Sequence, residues 1–298
     1  MNSNIKAHIA LLFANIIYGL NYTVAKDLMP DYILPFGFIF CRVIGALSLF
    51  WIIHSFNYEK VERKDLLLMA VCGFFGVFAN QLMFFYGLNL TTPINAGIIM
   101  TSNPILVIIA SAIILKNRIT VLKVAGIFLG IAGALLLLLV KKDFSFGSDT
   151  LLGDFFIFMN ALSYGIYLVL AVPLMKKYKP LTVIKWVFTF GAIFVIPFGF
   201  QQFTEIEWST FPIDVWWKFA FVVIATTFFA YLLNIYGLKK LSPSVVSTYI
   251  YLQPLLAALV AIWAGKDSLD WIKIAAAILI FTGVYLVSKT KSEKKSIG

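Results

Sequence analysis

The chain has 298 residues, 61% of them hydrophobic and only 13% charged, with a formal charge of +10 and a mean hydropathy of +0.93. An ordinary soluble domain carries about 25% charged residues, so a water-soluble fold is excluded, and the positive charge is better explained by orientation in a membrane than by nucleic acid as a partner. The two cysteines, Cys41 and Cys72, fall inside apolar stretches and leave no material for a disulfide framework or a thiolate metal site, and no cofactor is implied.

Crossing the hydrocarbon core takes roughly 20 mostly apolar residues. In chain order such stretches fall at residues 8–26, 33–54, 66–88, 94–115, 121–140, 151–173, 183–203, 216–238, 244–265 and 271–288. This spacing predicts an all-α integral membrane protein of ten transmembrane helices. The apolar runs, such as 105–115 and 134–140, are continuous and lack the period-two alternation of a barrel strand. The first stretch resembles a signal peptide in length, but Asn15 and Asn21 interrupt it and it has no clear small-residue cleavage site, so it reads as a retained helix.

Polar side chains recur within these stretches at helical spacing. Asn15, Tyr18 and Tyr22 share a face of helix one, as Asn160, Tyr164 and Tyr167 share a face of helix six. Helix three adds Asn80 and Gln81, helix four Asn95 and Asn103, helix eight Tyr231 and Asn234, and helix nine Tyr249 and Gln253. Amides in hydrocarbon need partners, so each serves either an interhelical hydrogen bond or a wet pathway. As a set they are expected to line a substrate pathway. Pro104 and Pro254 sit near the middle of helices four and nine, each removing a backbone donor, so paired helix breaks beside a cavity are expected there.

Arg42 is the only charged residue well inside any span, where insertion costs about 2.5 kcal/mol or more. Its guanidinium either binds a substrate carboxylate through forked hydrogen bonds or braces backbone carbonyls. No Asp or Glu lies mid-span, and Asp154 near the end of helix six comes closest, so a carboxylate proton relay is not evident. Facilitated diffusion or exchange is expected rather than obligatory proton coupling.

Placing the N-terminus in the cytoplasm puts 17 of the 24 Lys and Arg residues on the inner side and six on the outer, so the positive-inside rule selects cytoplasmic termini. The seven Trp residues, Trp51, Trp186, Trp208, Trp216, Trp217, Trp263 and Trp271, lie at or between span ends, as in an aromatic belt. The basic tail of residues 289–295 is expected to meet anionic lipid headgroups rather than a specific regulator.

Offsetting the chain by 150 residues aligns Tyr86-Gly87-Leu88 with Tyr236-Gly237-Leu238, Pro93 with Pro243, Pro104 with Pro254 and Gly133 with Gly283; Tyr18-Gly19 meets Tyr164-Gly165 at an offset of 146. Residues 1–148 and 149–298 therefore read as two five-helix repeats. Five is odd, so the repeats are inverted in the membrane, an arrangement suited to alternating access around a midplane site.

The stretch Ala14-Asn15-Ile16-Ile17-Tyr18-Gly19-Leu20-Asn21, Arg42, Tyr86-Gly87-Leu88, Pro104 and the Gly126, Gly130, Gly133 helix together resemble the EamA branch of the drug/metabolite transporter superfamily. The likeness covers nearly the whole chain. Where that pattern carries Glu just after helices four and nine, this chain has Asn117 and Asp267. The resemblance implies an exporter or facilitator of small metabolites, amino acids or drugs in the cell (inner) membrane. With Arg42 and the amides, amino acids or related carboxylates come first, a nucleotide-sugar or sugar carrier second, and a non-transporting scaffold or sensor third. An intramembrane enzyme is disfavoured: His8 and His54, the only histidines, lie near span ends, and no His-Glu-x-x-His or Gly-x-Ser-x-Gly motif occurs. The Gly126-x-x-x-Gly130 face serves either packing within one subunit or contact between two, leaving monomer or homodimer open.

Overall fold

The structure, a computed structural model, describes residues 3–56, 58–139, 150–263 and 270–289. Three of the six outer-side lysines, Lys141, Lys142 and Lys266, lie outside these, as do Asp267, residues 290–295 of the basic tail and the side chain of Trp263. The described residues form helices α1 (Ser3–Leu28), α2 (Pro35–Ser55), α3 (Arg63–Leu90), α4 (Pro93–Ile114), α5 (Val121–Leu139), α6 (Leu151–Lys177), α7 (Pro180–Thr204), α8 (Ile213–Lys240), α9 (residues 243–263) and α10 (Trp271–Lys289). Among the described residues, eight of these are long and apolar enough to cross a membrane; α5 contributes a shorter apolar stretch, Val121–Leu136. α9 is built from three short segments, Pro243–Thr248, Tyr249–Tyr251 and Leu252–Trp263.

The helix starts follow from the sequence. Pro35, Pro93, Pro180 and Pro243 each open a helix, where a missing N–H costs nothing. Thr92 and Ser242, matched at the 150-residue offset, cap α4 and α9 by accepting from the backbone N–H of Asn95 and Val245. The matched prolines also interrupt their helices. α4 breaks at residues 101–102, immediately before Asn103-Pro104, and α9 tightens to a 3₁₀ turn at Tyr249–Tyr251, three residues before Pro254.

Less expected are two π-helical stretches, Phe74–Ala79 inside α3 and Phe221–Phe229 inside α8. Their wider turns displace the regular bonding ladder, and side chains take up backbone carbonyls. Ser163 Oγ donates to the Phe75 carbonyl at 2.7 Å. Such segments concentrate at functional sites.

The helices pair across the two halves of the chain: α5 on α10, α2 on α7, α1 on α8 and α3 on α6. α5 and α10 approach closely, so that a Cβ built on Gly126 would meet the Gly283 carbonyl at 2.7 Å. The glycine face of α5 is thus covered within the same chain, by α10 at Gly126 and Gly133 and by the Tyr251 ring of α9 at Gly130. Isoleucines and phenylalanines such as Ile113, Phe128, Ile193, Phe200 and Phe281 project outward, as lipid contact requires. Near one end of the bundle, the Lys26 ammonium donates to the carbonyls of Leu88 and Asn89 at 2.9 and 3.1 Å, closing the C-terminus of α3 where the helix dipole favours a cation. At the opposite end, Lys177 pairs with Glu62 and Asp65. Hydrogen bonds from Lys64 and Lys177 hold the exposed Glu62 carboxyl below the usual carboxylate range.

Candidate functional site

Six helices, α1, α2, α3, α6, α8 and α9, together with Met100 of α4, enclose a cavity of about 660 Å³, its mouth included. It gathers most of the polar residues singled out by sequence: Asn15, Tyr18 and Tyr22 from α1, Arg42 from α2, Asn80 and Gln81 from α3, Asn160 and Tyr164 from α6, Tyr231 and Asn234 from α8, and Gln253 from α9. Among the described residues that line it, Arg42 is the single charged side chain.

Arg42 is 2% exposed. Its Nε donates to Thr227 Oγ1 at 2.9 Å, and that hydroxyl in turn donates to the Val222 carbonyl at 2.7 Å, five residues back along the π-helical stretch of α8. The guanidinium carbon lies 4.1 Å from the centroid of the Phe85 ring and 5.5 Å from that of Phe38, within cation–π range. Nη1 is buried with no hydrogen-bond partner, and no acidic side chain lies within ion-pair distance among the described residues. The guanidinium is therefore oriented through Nε and leaves the buried Nη1 short of a partner.

Around it the amides are set by backbone acceptors. Asn160 Nδ2 donates to the Asn80 carbonyl at 2.7 Å, which fixes the amide orientation because a carbonyl only accepts. Asn160 Oδ1 is thereby left as a buried acceptor without a partner, as are Asn21 Oδ1 and Asn234 Oδ1. Tyr231 donates to Asn80 Oδ1 at 3.1 Å, and Asn234 Nδ2 donates to the Tyr164 hydroxyl at 2.5 Å. Neither polar atom of Gln81 has a partner. A cationic side chain and several amides with unpaired acceptors lining one cavity, with Tyr18, Tyr22, Phe84 and Phe85 as walls, suit an amphiphilic solute carrying an anionic group and hydrogen-bond donors.

Four expected lining residues point elsewhere. Tyr167 packs its ring over Gly76, where a Cβ would come within 2.4 Å of it. Asn103 donates to the Ala161 carbonyl at 2.6 Å, tying α4 to α6. Asn95 donates to Asp154 Oδ2 at 3.5 Å, beside the Thr91 hydroxyl, which donates to Oδ1 at 2.6 Å. Tyr249 bonds through its hydroxyl to His8 Nδ1 at 2.7 Å. In each case the side chain joins two helices instead of facing the cavity. One of these ties has a counterpart: Gln253 Nε2 donates to Asn15 Oδ1 at 2.9 Å, and residues 15 and 253 match 161 and 103 at the two offsets of the repeat. The residue before each matched proline thus anchors the break to the first helix of a repeat. Pro104 and Pro254 are not among the described lining residues, whereas Met100 and Ile250, four positions before them, are.

Sequence reasoning missed Asn21, Phe84, Phe85, Thr226, Thr227, Val246 and Ile250. Asn21 lies three residues after Tyr18, and that spacing was signal enough. Thr227 carried no signal, since its reach to Arg42 depends on the π-helical phase of α8.

The model of the EamA-like transporter family matches residues 5–139 and again 151–289. The chain is 28% identical over 289 residues to the uncharacterized transporter YyaM of Bacillus subtilis, covering 96% of this chain and 94% of the relative. An uncharacterized transporter of Archaeoglobus fulgidus is 27% identical over 287 residues, 96% and 98% of the two chains. The Arabidopsis thaliana protein WALLS ARE THIN 1 is 24% identical over 329 residues, 98% of this chain and 84% of the relative. A solved crystal structure shares the fold with a TM-score of 0.76 at 18% identity, over 96% of each chain.

Proposed function

The chain belongs to the EamA-like transporter family, a multi-pass membrane protein, and from that premise we propose that it moves small organic solutes, amino acids or related carboxylates first, through the Arg42 cavity. In this reading ten helices span the cell (inner) membrane with both termini cytoplasmic, and two inverted five-helix repeats alternate access to the cavity. The observation that carries the substrate class is the guanidinium left short of a partner: Nη1 of Arg42 is buried and unpartnered, an expensive arrangement that an anion on the solute relieves. The decisive experiment is flux of a panel of radiolabelled amino acids and monocarboxylates through purified protein in liposomes. Saturable uptake of at least one carboxylate is expected, and uptake confined to uncharged sugars would contradict the reading.

Thr227 orients Arg42 through a bond to a charged group, an interaction of about 1.5–3 kcal/mol. Thr227→Val is expected to weaken substrate affinity about tenfold or more while Thr227→Ser retains it, measured as the half-saturating concentration for uptake. Equal behaviour of the two variants would show that the hydroxyl is not what holds the guanidinium.

The cavity is lined by no carboxylate among the described residues, and Asp154 is engaged by Thr91 and Thr150 outside its lining. An imposed pH gradient across the liposome is therefore expected to leave the final internal substrate concentration at the external one. Uphill accumulation driven by the gradient would mean that a proton site exists elsewhere.

A further inference from the structure

Away from the cavity, the ends of α2 and α7 that carry the basic residues enclose a second group of buried polar side chains. Lys185 of α7 is 2% exposed. Its ammonium lies 4.1 Å from the ring centroid of Trp51 and 4.7 Å from that of Trp186, and the two indoles meet edge to face at 5.9 Å. Trp51 is fixed by donation from Nε1 to Thr189 Oγ1 at 3.1 Å. Among the described residues the ammonium makes no ion pair or hydrogen bond; the Glu59 carboxylate, before α3, instead accepts from the backbone N–H of Lys179 at 2.9 Å. One turn from Trp51, His54 is buried with neither ring nitrogen partnered, and one turn before Lys185, Thr182 is fully buried with its hydroxyl unpartnered.

Two aromatic faces attract an ammonium but supply none of the acceptors its three N–H groups need. An imidazole and a hydroxyl without partners stand on the same two helix ends. The ammonium can only donate, and the imidazole N–H and the hydroxyl can each donate as well, so an anion with several acceptor oxygens serves all three. Trp51, Ile52 and Ile53 are exposed on the outer face of the bundle, so such an anion arrives from the bilayer, at the depth where tryptophans mark the interface.

We propose that Lys185, His54 and Thr182 bind the headgroup phosphate of an anionic phospholipid, with Trp51 and Trp186 flanking it and the acyl chains running along the exposed isoleucines of α2. A choline headgroup is disfavoured, because its cation would meet the lysine. The site is independent of the substrate cavity.

The test uses the full chain, purified in detergent and stripped of lipid, titrated with phosphatidylglycerol, phosphatidylcholine or inorganic phosphate. Thermal stability and lipid retained in native mass spectrometry are read together. Phosphatidylglycerol is expected to stabilise the wild type and remain bound, with Lys185→Gln retaining about tenfold less, as the loss of a charge-assisted bond implies, and Lys185→Arg retaining it. Thr182→Val supplies the control for folding. Its unliganded stability is expected to equal or exceed the wild type's, because a buried unpartnered hydroxyl is removed, while lipid retention falls. Undiminished retention in both Lys185→Gln and Thr182→Val would overturn the proposal, as would equal stabilisation by phosphatidylcholine or by inorganic phosphate.

Discussion

Arg42→Gln is expected to reduce transport about 100-fold, in the range seen when one member of a buried, hydrogen-bonded charge pair is truncated. Arg42→Lys, which keeps the charge but loses the planar fork, is expected to fall about tenfold. The reduction alone would not separate binding from bracing, since Arg42 also receives orientation from Thr227. Stability without substrate does. A guanidinium buried with Nη1 unpartnered costs the empty protein free energy, so a neutral replacement such as Arg42→Met is expected to leave the unfolding temperature unchanged or raise it while abolishing flux. A brace would behave oppositely, with stability and flux falling together. Measuring both on the same purified variants decides between the two roles that the sequence left open for this residue.

Gly283→Ala is expected to lower the unfolding temperature by about 2–5 °C, the scale of a 1–3 kcal/mol overpacking penalty in a chain of this length. The new Cβ would lie 2.5 Å from the Gly126 carbonyl and 2.8 Å from the Gly130 nitrogen. Both neighbours are backbone, so α5 and α10 must separate along their length to admit it. Gly165→Ala is the matched control: its Cβ would meet a Val107 methyl at 3.3 Å and backbone only at 3.5 Å, and a side chain can yield. Differential scanning fluorimetry of the two variants in one detergent gives the comparison, and equal stability would mean that the α5–α10 contact tolerates a wider spacing.

Much of the cavity was legible because helical phase is legible. Asn15, Tyr18 and Tyr22 follow one another at three and four residues in an uninterrupted helix, and all three reach the same space. The extrapolation failed where the helix phase or the partner depended on tertiary structure. Tyr167 continues the spacing of Asn160 and Tyr164, yet its ring lies on Gly76, drawn there by a neighbouring helix with no side chain at that point. Asn95 precedes the break at residues 101–102, so its turn no longer shares a face with the residues that follow. The Arg42 to Thr227 bond was invisible for a further reason. It requires the π-helical stretch Phe221–Phe229, and a five-residue bonding pattern leaves no mark in a sequence read at 3.6 residues per turn.

The fold divides in the same way. Hydropathy identifies the long apolar helices directly and gives α9 as one apolar stretch, but its division into three short segments is not visible in hydropathy. The glycines of α5 could have served either a second copy or the same chain, and sequence holds no information on which; the backbone contacts with α10 come from the arrangement of the whole bundle.

The claim on which the rest depends is that the Arg42 cavity carries an anionic organic solute across the membrane. Its most direct test is uptake of radiolabelled carboxylates by liposomes containing purified wild-type protein, alongside identical liposomes containing Arg42→Met. Saturable uptake of at least one carboxylate by the wild type, reduced to the protein-free rate in the variant, is the result predicted here; uptake of the same solute at the same rate by both would contradict it.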